Sequence, residues 1–336
     1  MISARYKLTS EIGTNLSPKQ KESIEMIKGR NYEYYKYSCP ICKHDKFEKL
    51  SEKDRFGLRA DIVICTDCGL IMTNPRMTEE AYKDFYKNFY RSIYNKGDGA
   101  VEIYFRKQYE RGQRIANFIE NFFGEKLTNK KILEIGCGAG GILQKFKEDG
   151  NEVSGIDLGA EFLAYGIKKN LDLRVSTLQE ERIPSQKYDI LIFSHVLEHL
   201  PDVKSQLKIA RKFLNKNGLI YIEVPGIKNM WMNLNFDFLD YIQNAHIWHF
   251  TKRTLNNMVD NLELNVLSQD EHIHMLLGLS SKVENVQRES DYKSARRYIF
   301  FYEFLFKIKI QTIVNFIRRI WNLIKRFPSR FSKKSI

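Results

Sequence analysis

The cysteines are the first residues whose type and spacing point to chemistry. Cys39-Pro-Ile-Cys42 and Cys65-Thr-Asp-Cys68 form two CxxC pairs separated by 22 residues. Two such knuckles can place four thiolates tetrahedrally around zinc. A closed four-sulfur site leaves no position open for a substrate, so its role is structural. Cys39, Cys42, Cys65 and Cys68 are the expected ligands, and His44 is read as a bystander.

The fifth cysteine lies in residues 132–143, ILEIGCGAGGIL. An apolar strand pattern runs into Gly136-Cys137-Gly138-Ala139-Gly140-Gly141, and a helical pattern follows. Glycine allows a sharp turn and a close approach of backbone to ligand. The N-terminus of the next helix offers free N–H groups. Asp157 ends a second strand 19 residues after Gly138, where a carboxylate can accept both ribose hydroxyls of a nucleoside. Gly136, Gly138 and Gly141 satisfy G-x-G-x-x-G, which leaves NAD and S-adenosylmethionine (SAM) open. Glu134 shifts the balance by completing E-x-G-x-G-x-G. A carboxylate there suits a cationic sulfonium with an ammonium group better than a pyrophosphate.

Four of the seven histidines matter. His195-Val-Leu-Glu198-His199 spells H-x-x-E-H, the inverzincin protease pattern. That pattern belongs within a helix, whereas here it follows a buried strand, which argues against a protease. Glu198 and His199 can instead cap and brace the helix that follows. His246 and His249, in NAHIWHFT, can each be a base or a packed, hydrogen-bonded side chain.

Regular elements must position these groups. Thr78-Glu79-Glu80 reads as a helix start. Tyr82, Phe85, Tyr86, Phe89 and Tyr90 then form one aromatic face, read as packing against the next domain. Gly97-Asp98-Gly99 breaks the pattern, and a second helix is expected over 101–123. Strands are expected at Lys131–Ile135, Glu152–Ile156, Asp172–Val175, Asp189–Phe193 and Leu219–Val224. Helices at 141–148, 160–169 and 202–215 separate them. Another helix spans Thr251–Leu262, and Asn265–Ser268 with His272–Leu276 can close the sheet as a hairpin. Strands separated by helices of this size imply βαβ units and a parallel sheet.

Glu134-Ile135-Gly136-Cys137-Gly138-Ala139-Gly140, Asp157 and Tyr188-Asp189-Ile190…Ser194-His195-Val196-Leu197-Glu198-His199-Leu200-Pro201-Asp202 together resemble a class I SAM-dependent methyltransferase. The likeness covers roughly 128–277. It implies an α/β, Rossmann-like seven-stranded sheet with its last strand antiparallel. It also implies that Glu134, Gly136, Cys137, Gly138 and Gly140 face the methionine end of the cofactor. Asp157 would hold the ribose, Leu158 and Leu178 would flank the adenine, and Ser194 and His195 would sit at the mouth of strand four. The histidines of NAHIWHFT would face the acceptor. A second resemblance is to ubiquinone-pathway O-methyltransferases, which carry E-x-x-E-H and can bind a divalent metal with it. This chain has His195 in place of the first Glu. CPIC…CTDCGLIMTNPR and the aromatic helix, over about 38–95, resemble the zinc-ribbon leader of bacterial methyltransferases encoded with surface-polysaccharide and sugar-modifying enzymes.

The 336 residues are 43% hydrophobic and 28% charged, which excludes disordered, collagen-like and coiled-coil classes. The expected organisation is a Tyr-rich lead-in (1–37), a zinc ribbon (38–76), a helical connector (77–125), the methyltransferase domain (126–280) and a tail (281–336). Net charge is +13, but residues 291–336 hold 12 Lys/Arg against 2 Asp/Glu, leaving 42 against 39 for residues 1–290. In the tail, Ile310, Ile313, Val314, Ile317, Ile320, Trp321 and Ile324 form a helical stripe, with Arg318, Arg319, Lys325 and Arg326 off it. That pattern reads as a basic amphipathic helix for an anionic membrane surface. No secretory signal or spanning helix is visible, so a cytoplasmic protein, peripheral at the membrane, is expected.

The expected activity is in-line methyl transfer from SAM to a small-molecule or glycan acceptor, a sugar or lipid-linked saccharide. Transfer to a hydroxyl needs a base, for which His199, His246 and His249 are candidates. Two other readings are an RNA methyltransferase, disfavoured by the near-neutral body, and a non-catalytic SAM-binding scaffold.

Overall fold

The computed structural model describes residues 16–94, 100–229, 238–280 and 289–307. The lead-in is more ordered than its polar composition suggests. Ser17 opens helix α1 (Pro18–Lys28) with a reciprocal capping box to Gln20 and a proline in the first turn. Ile24 and Ile27 are buried, and Gln20 Nε2 donates to the Ile93 carbonyl at 2.7 Å.

The short strand β1 (Tyr34–Tyr35) pairs with β5 (Arg76–Met77). Between them β2 (Phe47–Lys53), β3 (Arg59–Cys65) and β4 (Ile71–Thr73) form an antiparallel ribbon. A fourth strand, Trp248–His249, joins its edge by pairing with β4. The ribbon thus shares a sheet with a segment almost two hundred residues downstream. Ribbon residues Ile41, Leu58 and Met72 also lie in one continuous apolar core with Phe85, Leu191 and Phe193. The expected boundary near residue 76 separates sequence patterns, not independent cores.

Thr78 caps α2 (Glu79–Asn88) through its hydroxyl. The short helix α3 (Tyr90–Tyr94) and the long α4 (Ala100–Phe123) follow. The main sheet then builds from β6 (Lys131–Ile135), α5 (Gly141–Glu148), β7 (Glu152–Asp157), α6 (Ala160–Lys168), β8 (Asp172–Val175), β9 (Tyr188–Ser194), α7 (Val203–Phe213) and β10 (Leu214–Glu223). After β11, the Trp248–His249 strand, and a helix at Lys252–Val259, the hairpin β12 (Leu264–Gln269) and β13 (His274–Leu279) completes it. The order is β12-β13-β10-β9-β6-β7-β8, and β13 runs antiparallel to both neighbours. This is the seven-stranded arrangement expected.

Three of the boundaries that differ from expectation do so for clear local reasons. β10 starts at Leu214, directly from α7, with a register break before Leu219. The helix ends at Val259 because Asn261 and Glu263 adopt left-handed φ of 61° and 54°. β13 begins at His274 because Asp270 Oδ1 accepts the His274 N–H at 3.0 Å and holds the intervening residues in the turn. The final described helix, Tyr292–Lys307, packs Ala295 and Ile299 beneath the ribbon. It is pinned there by Tyr292 Oη and Arg296 Nε on Glu48, at 2.6 and 2.7 Å. The stripe from Ile310 to Ile324 lies outside the described residues.

Candidate active site

The glycine turn is built as its sequence demands. Gly136, Gly138 and Gly140 have φ of 72°, 55° and 79°, a region that favours glycine. A Cβ on Gly136 would lie 2.4 Å from Val196, and one on Gly138 2.8 Å from the Tyr104 ring. Cys137 is fully buried, so it offers a ligand only backbone. Its carbonyl accepts from Gln108 Nε2 at 2.9 Å. Gln108 Oε1 also accepts from Gly141 N at 3.3 Å, so one amide of α4 braces both sides of the turn.

Asp157 stands at the end of β7. One carboxylate oxygen accepts from Gly138 N at 3.0 Å and the other from Gly159 N at 2.6 Å. Arg91 of α3 approaches the same carboxylate at 3.9 Å and covers the Phe162 ring. Leu158 is 69% exposed beside it, whereas Leu178 is buried. Glu134 is buried, and its Oε2 has no hydrogen-bond partner. Burial pushes its carboxyl well above the usual range, against the pull of Arg111. An orphaned buried carboxylate beside a glycine cradle and a strand-end aspartate fits SAM, whose ammonium and ribose would pair with them.

At the mouth of β9, Ser194 Oγ donates to Glu223 Oε2 at 2.8 Å. His195 takes the left-handed φ of 57° and lies between two carboxylates, 3.4 Å from Glu198 and 3.6 Å from Glu223. Burial would lower its pKa, but those carboxylates outweigh it and raise it to about 9. His274 and Arg111 also approach Glu223, each at 3.8 Å. Burial opposes ionisation of Glu223, yet these cations hold it well below the ordinary range.

Glu198 and His199 do not cap the next helix. Asp202 does, accepting from Ser205 N. Instead both turn inward. Glu198 is buried with neither carboxylate oxygen hydrogen-bonded. His199 Nδ1 faces the Ala245 carbonyl at 3.0 Å and Tyr86 Oη at 2.9 Å. Tyr86 Oη itself donates to Ala245 O at 3.0 Å. A carbonyl can only accept, so a proton on Nδ1 satisfies the Ala245 carbonyl and leaves the lone pair on Nε2. Nε2 lies 3.9 Å from Glu198 Oε1. Burial lowers the His199 pKa, against the attraction of Glu198.

His246 packs edge-on against His199 with ring centroids 4.7 Å apart, and its Nδ1 is unpartnered. Donor atoms of Glu198, His199 and His246 all lie within 4.8 Å of one another. His249 sits one step away, in the ribbon-edge strand against Tyr241, with its ring centroid 6.1 Å from that of His246. Burial drops its pKa to about 3.

The structure therefore gathers most of the expected residues but adds others. Tyr86 and Tyr90 belong to the aromatic stripe read as core, yet their rings edge onto His199 at 6.1 and 5.9 Å. Glu223 has a sequence signal: it is the acid ending the apolar run LIYIE. Tyr104, Gln108 and Arg111 recur at i, i+4 and i+7 of one helix, a face that faces the turn rather than solvent. His274 enters through the closing hairpin.

In the ribbon the four thiols converge. Cys39 and Cys68 sulfurs lie 3.4 Å apart, as do those of Cys42 and Cys65, and all four fall within 4.8 Å of one another. A tetrahedron with Zn–S of about 2.3 Å has S···S edges of about 3.8 Å. The set fits zinc.

Residues 105–269 match the family model described as "Methyltransferase domain". Among curated relatives, "Ubiquinone biosynthesis O-methyltransferase" of Photobacterium profundum is 32% identical over 129 residues, covering 36% of this chain and 54% of the relative. The Pasteurella multocida protein of the same name is 30% identical over 111 residues, covering 28% and 46%. The chain thus spans about half the length of these relatives. Solved structures that resemble it include the plantazolicin methyltransferase BpumL with S-adenosylhomocysteine (SAH), at 12% identity and TM-score 0.47, covering 59% of this chain and 94% of that one. Another is the Burkholderia thailandensis 1,6-didemethyltoxoflavin-N1-methyltransferase, at 14% identity and TM-score 0.46, covering 63% and 96%. Residues 105–269 thus carry a methyltransferase domain, as the sequence implied.

Proposed function

We propose that the protein methylates a hydroxyl of a small polar acceptor, a free or lipid-linked sugar of surface-glycan assembly. The observation that carries the reading is His199. The Ala245 carbonyl beside Nδ1 favours a proton there, which leaves the Nε2 lone pair on the side of Glu198, 3.9 Å away. A neutral imidazole there can take a proton from a hydroxyl as the new bond forms. SAM, when bound, supplies an activated methyl group, so the protein's remaining task is alignment. Glu134, Asp157 and the glycine turn would hold the cofactor. Glu198 would stabilise the imidazolium that forms on His199.

The sugar assignment rests on the polar groups left unpaired around this base. Glu198 Oε2 and His246 Nδ1 make no hydrogen bond, and Glu198 Oε1 has only the His195 and His199 rings near it, 3.4 and 3.9 Å away. A polyol can pair several of them at once, and an apolar acceptor none. The O-methyltransferase names of the relatives agree with an oxygen acceptor.

A second reading uses the same side chains as ligands. The donors of Glu198, His199 and His246 lie close enough to share one divalent cation, whose chemistry would be to acidify a bound hydroxyl. The cationic His195 at 3.4 Å from Glu198 opposes it.

The test is methyl transfer from labelled SAM into a cell extract, fractionated into glycan and nuclease-sensitive pools. Label in sugar nucleotides or lipid-linked glycan is expected. Label confined to the nuclease-sensitive pool would refute the sugar reading. Dependence of the rate on added Mg2+ or Mn2+ separates the second reading from the first.

A further inference from the structure

The helix Tyr292–Lys307 is held on one side and bare on the other. Ala295 and Ile299 are buried against the ribbon, and Arg296 reaches back to Glu48. Lys293, Arg297, Phe301 and Phe304 are all exposed. They fall at i, i+4, i+8 and i+11, one stripe along the helix. Phe301 and Phe304 are 55% and 58% exposed, unusual for two phenylalanines a turn apart. Glu303, the acid of this helix, is buried and off the stripe. No described helix is long and apolar enough to cross a membrane.

We infer that this stripe is a docking face for an anionic phospholipid surface, a reading independent of which acceptor is methylated. Aromatic rings seat at the boundary of headgroups and acyl chains, and lysine and arginine beside them meet lipid phosphate. The sequence beyond the helix carries the same sign of charge. From Lys307 to Ile336 the sequence holds nine Lys/Arg and no Asp/Glu. An anionic bilayer attracts this charge and that of Lys293 and Arg297 together.

The experiment is co-sedimentation of the full chain with large vesicles of phosphatidylcholine alone or mixed with phosphatidylglycerol. Thermal melting of each variant serves as a folding control. Binding to the mixed vesicles, little binding to the neutral ones, and weakening with salt are expected. The double variant Phe301→Ser/Phe304→Ser and, separately, Arg297→Glu should each lower the partition coefficient about fivefold or more. The stripe is surface-exposed, so both variants should melt like the wild type. No binding to the mixed vesicles overturns the inference, as does equal binding by the phenylalanine variant. A dimer in solution that the phenylalanine variant converts to monomer overturns it in favour of a second copy. Binding to transfer RNA that Arg297→Glu abolishes, with vesicle binding unchanged, overturns it in favour of nucleic acid.

Discussion

Replacing His199 with asparagine separates its two nitrogens. In the wild type Nδ1–H is engaged by the Ala245 carbonyl at 3.0 Å and Tyr86 Oη at 2.9 Å. The asparagine amide N–H can reach the same carbonyl, but nothing replaces Nε2. If Nε2 is the base, His199→Asn removes general base catalysis, worth about 10²- to 10⁴-fold in rate, or about 2.7–5.5 kcal/mol. The structural loss is smaller. The ring gives up edge contacts with Tyr86, Tyr90 and His246, and about 1–2 kcal/mol is typical of such a buried change. SAH affinity should hold, because Asp157 and the glycine turn lie on other strands. The assay is initial methyl-transfer rate with labelled SAM, beside calorimetric titration of SAH and a melting curve. A rate within threefold of wild type, with SAH affinity intact, would refute the assignment. Tyr86→Phe is the internal control. It leaves Nδ1–H on Ala245 and removes the two bonds Tyr86 Oη makes, with His199 Nδ1 and with the Ala245 carbonyl, about 0.5–1.5 kcal/mol each; only the first bears on the base, so the rate should fall at most about tenfold. The pH profile follows from the depressed His199 pKa. The wild-type rate should stay level from pH 8 to 6.5 and fall only in more acid solution. His199→Asn should lose that acid limb.

Glu134 has a folded pKa raised by burial, so the folded chain without cofactor binds more protons above about pH 4.5 and its stability falls as pH rises. Glu134→Gln should flatten that slope in urea unfolding, stabilise the protein by about 1–3 kcal/mol at pH 8, and weaken SAM binding at least tenfold. Glu223 is depressed and His274 raised to about 9. Glu223 therefore contributes stability above its unfolded range and loses it as pH falls, whereas His274 contributes below about 6.5 and loses it as pH rises toward 9. Glu223→Gln should destabilise by about 3 kcal/mol, most between pH 5 and 6.5, as denaturation at several pH values would show. Cys39→Ser should lower bound zinc, measured by metal analysis, and the melting temperature together. Because β4 pairs with Trp248–His249, it should also increase hydrogen exchange around His246 and His249.

What was legible in the sequence depended on how local the cause was. The glycine turn and its strands could be read because each φ > 0 in the turn is met by a glycine at its own position and each strand by an apolar run. The thiol site could be read because two knuckles carry their ligands three residues apart. The closing hairpin slipped by two residues because one side chain, Asp270, decided where pairing restarts, and periodicity does not register a single hydrogen bond. The aromatic stripe was harder. Tyr82, Phe85, Tyr86, Phe89 and Tyr90 are equivalent by spacing, yet Tyr82, Phe85 and Phe89 fill core while Tyr86 and Tyr90 meet His199. Only the packing of α2 and α3 across the mouth of β9 separates them. The same holds for Glu223, whose partners Ser194, His195, Arg111 and His274 come from β9, the turn after it, α4 and β13. Glu223 itself is marked as the acid ending LIYIE, but partners drawn from four separate segments leave no common spacing to read. The residues that would hold the cofactor were thus visible as a motif, and the histidines beside them as candidates, whereas Tyr86, Tyr90 and the partners of Glu223 became visible only once the chain was folded.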